Sequence, residues 1–382
     1  MSIFKYLYIV LSIWINVASC QGQNFSYRDV PVDYLPARNQ QYIDEVKQLK
    51  QSAVDLTKFL PSNHVTDGSV DYTSDLQKGI NTNKIVIMPN FPVMVSGIHV
   101  NNGTTVIFQE RSLLKMEPSK KIGYEVIAIS HVHNVNLYFP KIKGDRAEHI
   151  GTKGEWGFGI GVISSKNIRI LQPEISDCWG DGIYINNMGS DRNNALPDSN
   201  DIFVDGARID NNRRNGISII DGNSIIIKNS IVSNTNGTLP MSGIDVEPND
   251  GYSQLKNIVL DSVITFNNSK YGILISLAFF TDIDKKDISL TIKNCSDDGS
   301  NNGMGFVFDW LNKKDFVNAK GNINVVNPFW KNSRSSNLKL PVYSSTNNVI
   351  IKFQNARTMK EGKIETFPFQ SLIKDSKNII FD

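Results

Sequence analysis

GIGV at Gly159–Val162, GIYI at Gly182–Ile185, GISI at Gly216–Ile219, GIDV at Gly243–Val246, GILI at Gly272–Ile275 and GMGF at Gly303–Phe306 are six copies of one pattern, a glycine opening a short apolar strand. They stand 23, 34, 27, 29 and 31 residues apart, too unevenly for a strict tandem array but suited to successive turns of one solenoid. A second pattern keeps step with it: a polar residue leads an alternating apolar run at Asn134, Asn167, Asp201, Ser224, Asn257, Asp287, Asn348 and Asn378. Period-2 runs of Val, Ile and Leu, punctuated by Asn, Asp and Gly and without helical patterning between them, predict stacked strands. The expected fold class is all-β, a single-domain parallel β-helix whose coils stack at ~4.8 Å with inward residues filling the bore.

The 382 residues would suggest two or three globular domains, but a solenoid has no size limit set by one core. A formal charge of +2, without clustered Lys or Arg, gives no argument for nucleic acid. Residues 1–20 carry Lys5, an apolar stretch from Tyr6 to Ile15 and then Val17-Ala18-Ser19-Cys20, which predicts a secretory signal too short to span a membrane. The tetrapeptide resembles a bacterial lipobox, which implies cleavage before Cys20 and a lipid anchor on its thiol. Gln21 and Gly22 in place of an acidic residue then point to the outer membrane of the cell envelope. Residues 21–38 read as a tether. Residues 39–62 read as an amphipathic helix, with Ile43, Val46, Leu49, Ala53, Leu56 and Leu60 near helical spacing, capping the open N-terminal end of the solenoid. The β-helix itself is expected over 65–382, with Asn327–Pro341 as a loop excursion near its end. Cys178 and Cys295 fall about four coils apart, roughly 19 Å at ~4.8 Å per coil. A disulfide needs Cα atoms within ~7 Å, so two free interior thiols are expected.

DYTSDLQKGIN (Asp71–Asn81), KIVIMP (Lys84–Pro89) and Ser96–Met116 follow one another in an order that resembles the start of the pectate lyase superfamily. There a short helix covers the bore before the first strands. The resemblance implies a right-handed parallel β-helix and, for the chemistry, lyases, hydrolases, epimerases or proteins without a known activity. GEWGFGI, DCWGDGIYI, NNRRNGISI and GIDVEPN also resemble a group of bacterial right-handed β-helix repeat proteins. The Asn-Thr-Asp, Asp-Asp, Gly-His-Gly and Arg-Ile-Lys set of polygalacturonases is missing, so the resemblance transfers no catalytic residue.

Aligning the coils on their glycines turns sequence offsets into columns on one sheet. If Ile160, Ile183, Ile217 and Ile244 point inward, the next residues, Gly161, Tyr184, Ser218 and Asp245, point out. Two further on stand Ile163, Asn186, Ile220 and Glu247. Glu155, Trp156, Asp177, Trp179, Asp181, Tyr184, Arg213, Arg214, Asp245 and Glu247 should therefore gather over three or four coils. Aromatic faces stack on sugar C–H surfaces, and carboxylates and Arg hydrogen-bond hydroxyls or uronates. The expected partner is an acidic or acetamido polysaccharide. Trp156, Trp179, Tyr184, Arg213, Asp177 and Glu155 would bind it.

Asp181 and Asp245, two coils apart and so ~9.6 Å along the axis, would flank a water in an inverting hydrolase, with Glu247 either raising the pKa of Asp245 by repulsion or taking its place as the second catalytic carboxyl. No cofactor is required in that reading. Its rival is a lyase with Arg214 as base and a carboxylate-held Ca2+, and the third reading is a glycan-binding or structural β-helix without catalysis. Several of these side chains also have structural readings: Trp156, Trp179 and Arg213 as a stacking ladder, Asp181 as a turn residue, and the arginines as partners of nearby aspartates. His131 and His133 are expected as a surface pair, not a metal site, and His149 enters the groove region from a loop as a minor proton-transfer candidate.

Overall fold

The structure, a computed structural model, describes residues 25–187, 199–249, 253–278, 286–308, 319–341, 348–369 and 378–382. The leader and Cys20 lie outside the described residues. Three sheets form the sides of the solenoid, and each coil contributes one strand to each, as where Trp156–Ile163 lies in sheet C, Lys166–Leu171 in sheet A and Glu174–Ser176 in sheet B. Among the described residues sheet A has 12 strands, sheet B 11 and sheet C 9, and the pairings are parallel apart from the last hairpin of sheet B. This is the parallel β-helix expected from the glycine pattern, right-handed as the resemblance implies.

The register places like above like. In sheet C, Ile183, Ile217, Ile244 and Ile273 form one inward row, each at most 2% exposed. Ile168, Ile202, Ile225, Ile258 and Leu290 do the same in sheet A. Each such side chain contributes about 1.5–3 kcal/mol by leaving water.

The six strand-opening glycines serve close approach, not unusual dihedrals. A Cβ built on Gly159, Gly182, Gly216, Gly243 or Gly272 would stand 2.5–2.7 Å from the carbonyl oxygen of the corresponding glycine one coil on, and one built on Gly303 would meet that of Asn337. No side chain fits there. The left-handed conformations lie instead in the corners and strand leads, which explains the polar residue leading five of the sheet A strands: Asn134, Asn167, Asp201, Ser224 and Asn257 all have φ of 53–59°. Asn and Asp tolerate that region because their side chains hydrogen-bond locally. At one corner Asn327 donates to Asn294 (2.9 Å), and Asn355 donates to Asn327 (3.1 Å).

At the N-terminal end the molecule departs from the expected helix and tether. The helix expected over 39–62 is α1, Gln40–Leu49, and the chain then enters a short strand and a 3-10 turn, Leu56–Phe59. α1 does not cap the bore. Its Tyr42 and Val46 pack on Ile107, Tyr138 and Leu171, along the outer side of sheet A. The end is covered by Leu56 and by Leu76 and Ile80 of α2, Thr73–Thr82, all buried in the main core. The described part of the 21–38 tether is fastened across sheet B: Arg28 and Asn234 exchange two hydrogen bonds, Tyr34 donates to Asp298 (2.7 Å), and Gln172 donates to the Ala37 carbonyl (2.7 Å).

Residues 327–341 are no excursion but a regular part of the solenoid, with strands Phe329–Lys331 and Ser336–Lys339 and Trp330 buried in the bore. Their inward positions are Trp and Leu, which broke the Ile/Val pattern. Cys178 and Cys295 are buried and unpaired.

Candidate active site

Outward residues on sheet C form a column because the register is unbroken: Gly161, Tyr184, Ser218, Asp245, Leu274 and Gly305 stand side by side on successive strands. Four of them are the column read from the glycine alignment.

At its centre lies a charged network. Asp181 has no exposed surface. Its Oδ1 accepts the backbone N–H of Asn215 (3.0 Å), and its Oδ2 accepts Ser218 Oγ (2.8 Å) and Arg214 Nη1 (3.0 Å). Burial pushes its carboxyl above the ordinary value, and Arg214, Ser218 and Asn215 pull it back. Arg214 also faces Glu247 at 3.6 Å. Burial works against the guanidinium charge, but Asp181, Asp245 and Glu247 outweigh it and hold Arg214 above its ordinary value.

Asn215 joins the two aspartates. Its Oδ1 accepts the N–H of Ser242 (3.0 Å), so its Nδ2 is fixed as donor to Asp245 Oδ2 and to Ser218 Oγ (both 3.0 Å). Asp245 is fully buried; no N–H or O–H donor among the described residues reaches its other oxygen, Oδ1, and its carboxyl shares a side-chain hydrogen bond with Glu247, which one proton between the two acids supplies. Burial first, and the charge of Glu247 next, push Asp245 well above the carboxylate range, with Arg214 pulling the other way. The proton of Asp245 therefore belongs on Oδ1, since Oδ2 already accepts from Asn215.

Only the outer members of this network reach solvent. The side chains of Arg214 and Glu247 keep 12% and 14% of their exposure, against 0% for Asp181. They line a cavity of about 360 Å³ with Leu239, Pro240, Lys270, Tyr271 and Leu274.

The structure divides the expected sugar-binding residues. Trp156 is 48% exposed at the start of its strand and offers a free surface. Tyr184 stacks on Phe158 (4.2 Å between centroids), and burial followed by Asp181 pushes its phenol up to about 12. Trp179 has no free face, because His149 stacks on one side (3.9 Å) and the Arg213 guanidinium on the other (3.8 Å). Arg213 is further held by the carbonyls of Gly154 and Trp179. Asp177 is a corner residue with φ 57°, and its carboxylate accepts Asn211 Nδ2 and Ser176 Oγ. The sugar-contact expectation for Trp179, Arg213 and Asp177 thus gives way to a structural one. Glu155 lies close enough to act on both arginines.

His149 is buried from the groove, with Nδ1 2.7 Å from Asp145 Oδ2 and Nε2 buried without a partner among the described residues. Tyr124 donates to the other oxygen of Asp145 at 2.5 Å. His131 and His133 are exposed. Among the described residues no group of three or more His, Cys, Asp or Glu side chains is placed to hold a metal ion. Asn215 and Ser218 were absent from the expected site, although they stand in the same columns as the charged residues; polarity at an outward position was the available signal. Asp145 carried no such signal, because its place depends on how loop 144–155 folds back.

These features define a right-handed β-helix with a charged, pocketed groove on one sheet. No protein-family model matches the chain. It is similar to the uncharacterized protein YclG of Bacillus subtilis (strain 168), 30% identical over a match covering 47% of this chain and 34% of that protein. The chain thus spans about a third of the length of the curated relative it matches. Among solved structures it is similar to the polygalacturonase of Erwinia carotovora ssp. carotovora (TM-score 0.57, 12% identity, 94% of this chain and 100% of that one). It is also similar to PfbA, a surface adhesin of Streptococcus pneumoniae (TM-score 0.51, 12% identity, 80% and 88%). At such identities the likeness concerns the fold.

Proposed function

We propose that this β-helix binds a polysaccharide along sheet C and hydrolyses it at the Arg214–Glu247 pocket. The observation that carries the reading is the Asp245–Glu247 pair: a buried carboxyl pushed upward beside a second carboxyl that opens on a cavity. Such a pair keeps one proton between two acids and can pass it to a leaving glycosidic oxygen. Glu247 is the member that meets the saccharide, and Asp245 behind it is the proton store. Arg214 holds a sugar carboxylate or hydroxyls. Asp181 acts as a positioning residue, since both its oxygens are occupied within the protein.

Two carboxyls on one side of the pocket cannot flank a sugar ring, so as Glu247 gives its proton to the leaving glycosidic oxygen, a water from the open face attacks the opposite side of the anomeric carbon, releases its own proton to bulk solvent, and the configuration inverts. The lyase alternative needs a deprotonated Arg214, which the three carboxylates around it oppose. The similarity in fold to a polygalacturonase supports hydrolysis, whereas the similarity to an adhesin supports binding alone.

The test is product analysis on a polysaccharide panel with wild type, Asp245→Asn and Glu247→Gln. Loss of about 10²–10⁴ in rate for both variants is expected, with one product anomer at first and no absorbance of an unsaturated uronide. Unchanged cleavage in both variants would sink the pair as the proton donor. Glycan binding without cleavage in the wild type would leave the adhesin-like reading.

A further inference from the structure

The outward column of sheet C is interrupted by two glycines, Gly161 and Gly305, on strands five pairings apart, or roughly 24 Å at ~4.8 Å per coil. Each leaves a notch into which a side chain of another coil leans. A Cβ added to Gly161 would lie 2.5 Å from Cγ of Glu125, and one added to Gly305 would strike the ring of Tyr271. The two notches differ in charge.

At the Gly161 end no other described residue hydrogen-bonds to the Glu125 carboxyl. Burial pushes it up from the ordinary value, with His99 and a hydrogen bond from its own backbone N–H pulling the other way. A carboxyl that takes no donor from another residue is free to accept the N–H of a secondary amide. A sugar carboxylate placed there would meet another acid instead.

At the Gly305 end, Lys339 follows Gly305 in the column and sets its Nζ 3.5 Å from Tyr271 Oη. Lys270 lines the adjoining pocket. Both lysines are exposed, and neither is ion-paired among the described residues. Between the ends stands the Asp245–Glu247 pair.

Resting on the glycan-cleft reading above, we infer that the substrate is a heteropolymer held in one register, with an acetamido-bearing sugar against Glu125 over Gly161 and an anionic sugar against Lys270 and Lys339. The differing groups at the two ends fix which sugar lies at which end and disfavour polymers that carry only one kind of group.

Calorimetric titration of the Glu247→Gln protein reads binding apart from cleavage. The probes are a hyaluronan hexasaccharide (alternating acetamido sugar and uronate), chitohexaose (acetamido only) and hexagalacturonate (uronate only). The hyaluronan hexamer should bind about tenfold more tightly than either homopolymer, the effect of one or two well-made hydrogen bonds. In the same background Gly161→Ala, which displaces Glu125, and Glu125→Ala should each weaken the two acetamido probes about tenfold and leave hexagalacturonate unchanged. Lys339→Ala should weaken the two uronate probes and spare chitohexaose.

The inference is overturned if the hyaluronan hexamer binds no better than the homopolymers, if Glu125→Ala weakens all three equally, or if none binds. If these binding patterns hold but the wild type cleaves nothing, the hydrolytic reading falls and the subsites stand. If cleavage persists while Glu125 is indifferent to every probe, the subsites fall and the hydrolysis stands.

Discussion

Among the buried aspartates of this molecule, Asp245 lies beneath the sheet C pocket and Asp297 inside the bore on sheet B. Burial is the first cause of an upward shift in both. Asp297 then meets neutral donors, accepting Thr265 Oγ1 (2.8 Å) on one oxygen and the N–H of Ser300 (3.3 Å) on the other, and rises to about 7. Asp245 keeps one oxygen without a donor among the described residues, lies beside Glu247, and is drawn back by an arginine that reaches the pocket. Burial alone makes a carboxyl retain its proton. A charged neighbour with access to solvent is what lets that proton be used.

The strongest way to break this contrast is to remove the cation from the sheet C network. Arg214→Met should destabilise the fold by about 3–5 kcal/mol, because it leaves Asp181 buried without its ionic partner. Adding Asp181→Asn should recover part of the loss. Denaturant titration reads both, and a single variant as stable as wild type would show that the buried charges are not coupled as described.

A smaller effect of opposite sign is expected in the bore. The value of about 7 for folded Asp297 lies above the ~3.9 of an unfolded aspartate. The folded chain therefore binds this proton more tightly than the unfolded one. The stability it contributes is complete below about pH 4 and is lost as pH rises through about 7. Asp297→Asn should therefore be roughly 2–4 kcal/mol more stable than wild type at pH 8, with no gain at pH 4. An asparagine fits with Oδ1 toward the Ser300 N–H and Nδ2 toward Thr265 Oγ1. A variant with the wild-type pH dependence would remove Asp297 from the comparison.

The finest test is the pH profile. Glu247 is one of the causes that raise Asp245, so the residual cleavage of Glu247→Gln should lose its alkaline limb at lower pH than wild type. A limb that stays in place would mean the two carboxyls do not share a proton.

Much of this was legible in the chain. Gly182, Gly216 and Gly243 gave the coil register, and the register placed Tyr184, Ser218 and Asp245 side by side before any coordinates. α1 was located, but with too long a span and the wrong role, because Leu56 and Leu60 continue its apolar spacing and yet belong to the turn that closes the bore. Trp179 looked like a sugar platform because an aromatic at a groove edge exposes no sign of what will stack on it. Its covers come from Arg213 one coil on and from His149 in a loop whose path no periodicity records.

The sequence by itself determined the architecture and the in-or-out direction of the residues in the glycine-led strands, because strand alternation and a repeated strand-opening glycine leave one consistent way to stack those coils. Tertiary structure alone decided which charges are spent and which are available. The exposure of Glu247, the enclosure of Asp181, and the vacant oxygen of Asp245 depend on side-chain directions and corner loops from several coils. Hydrogen bonds are settled by distances of a few tenths of an ångström, a scale at which a column of letters carries no information.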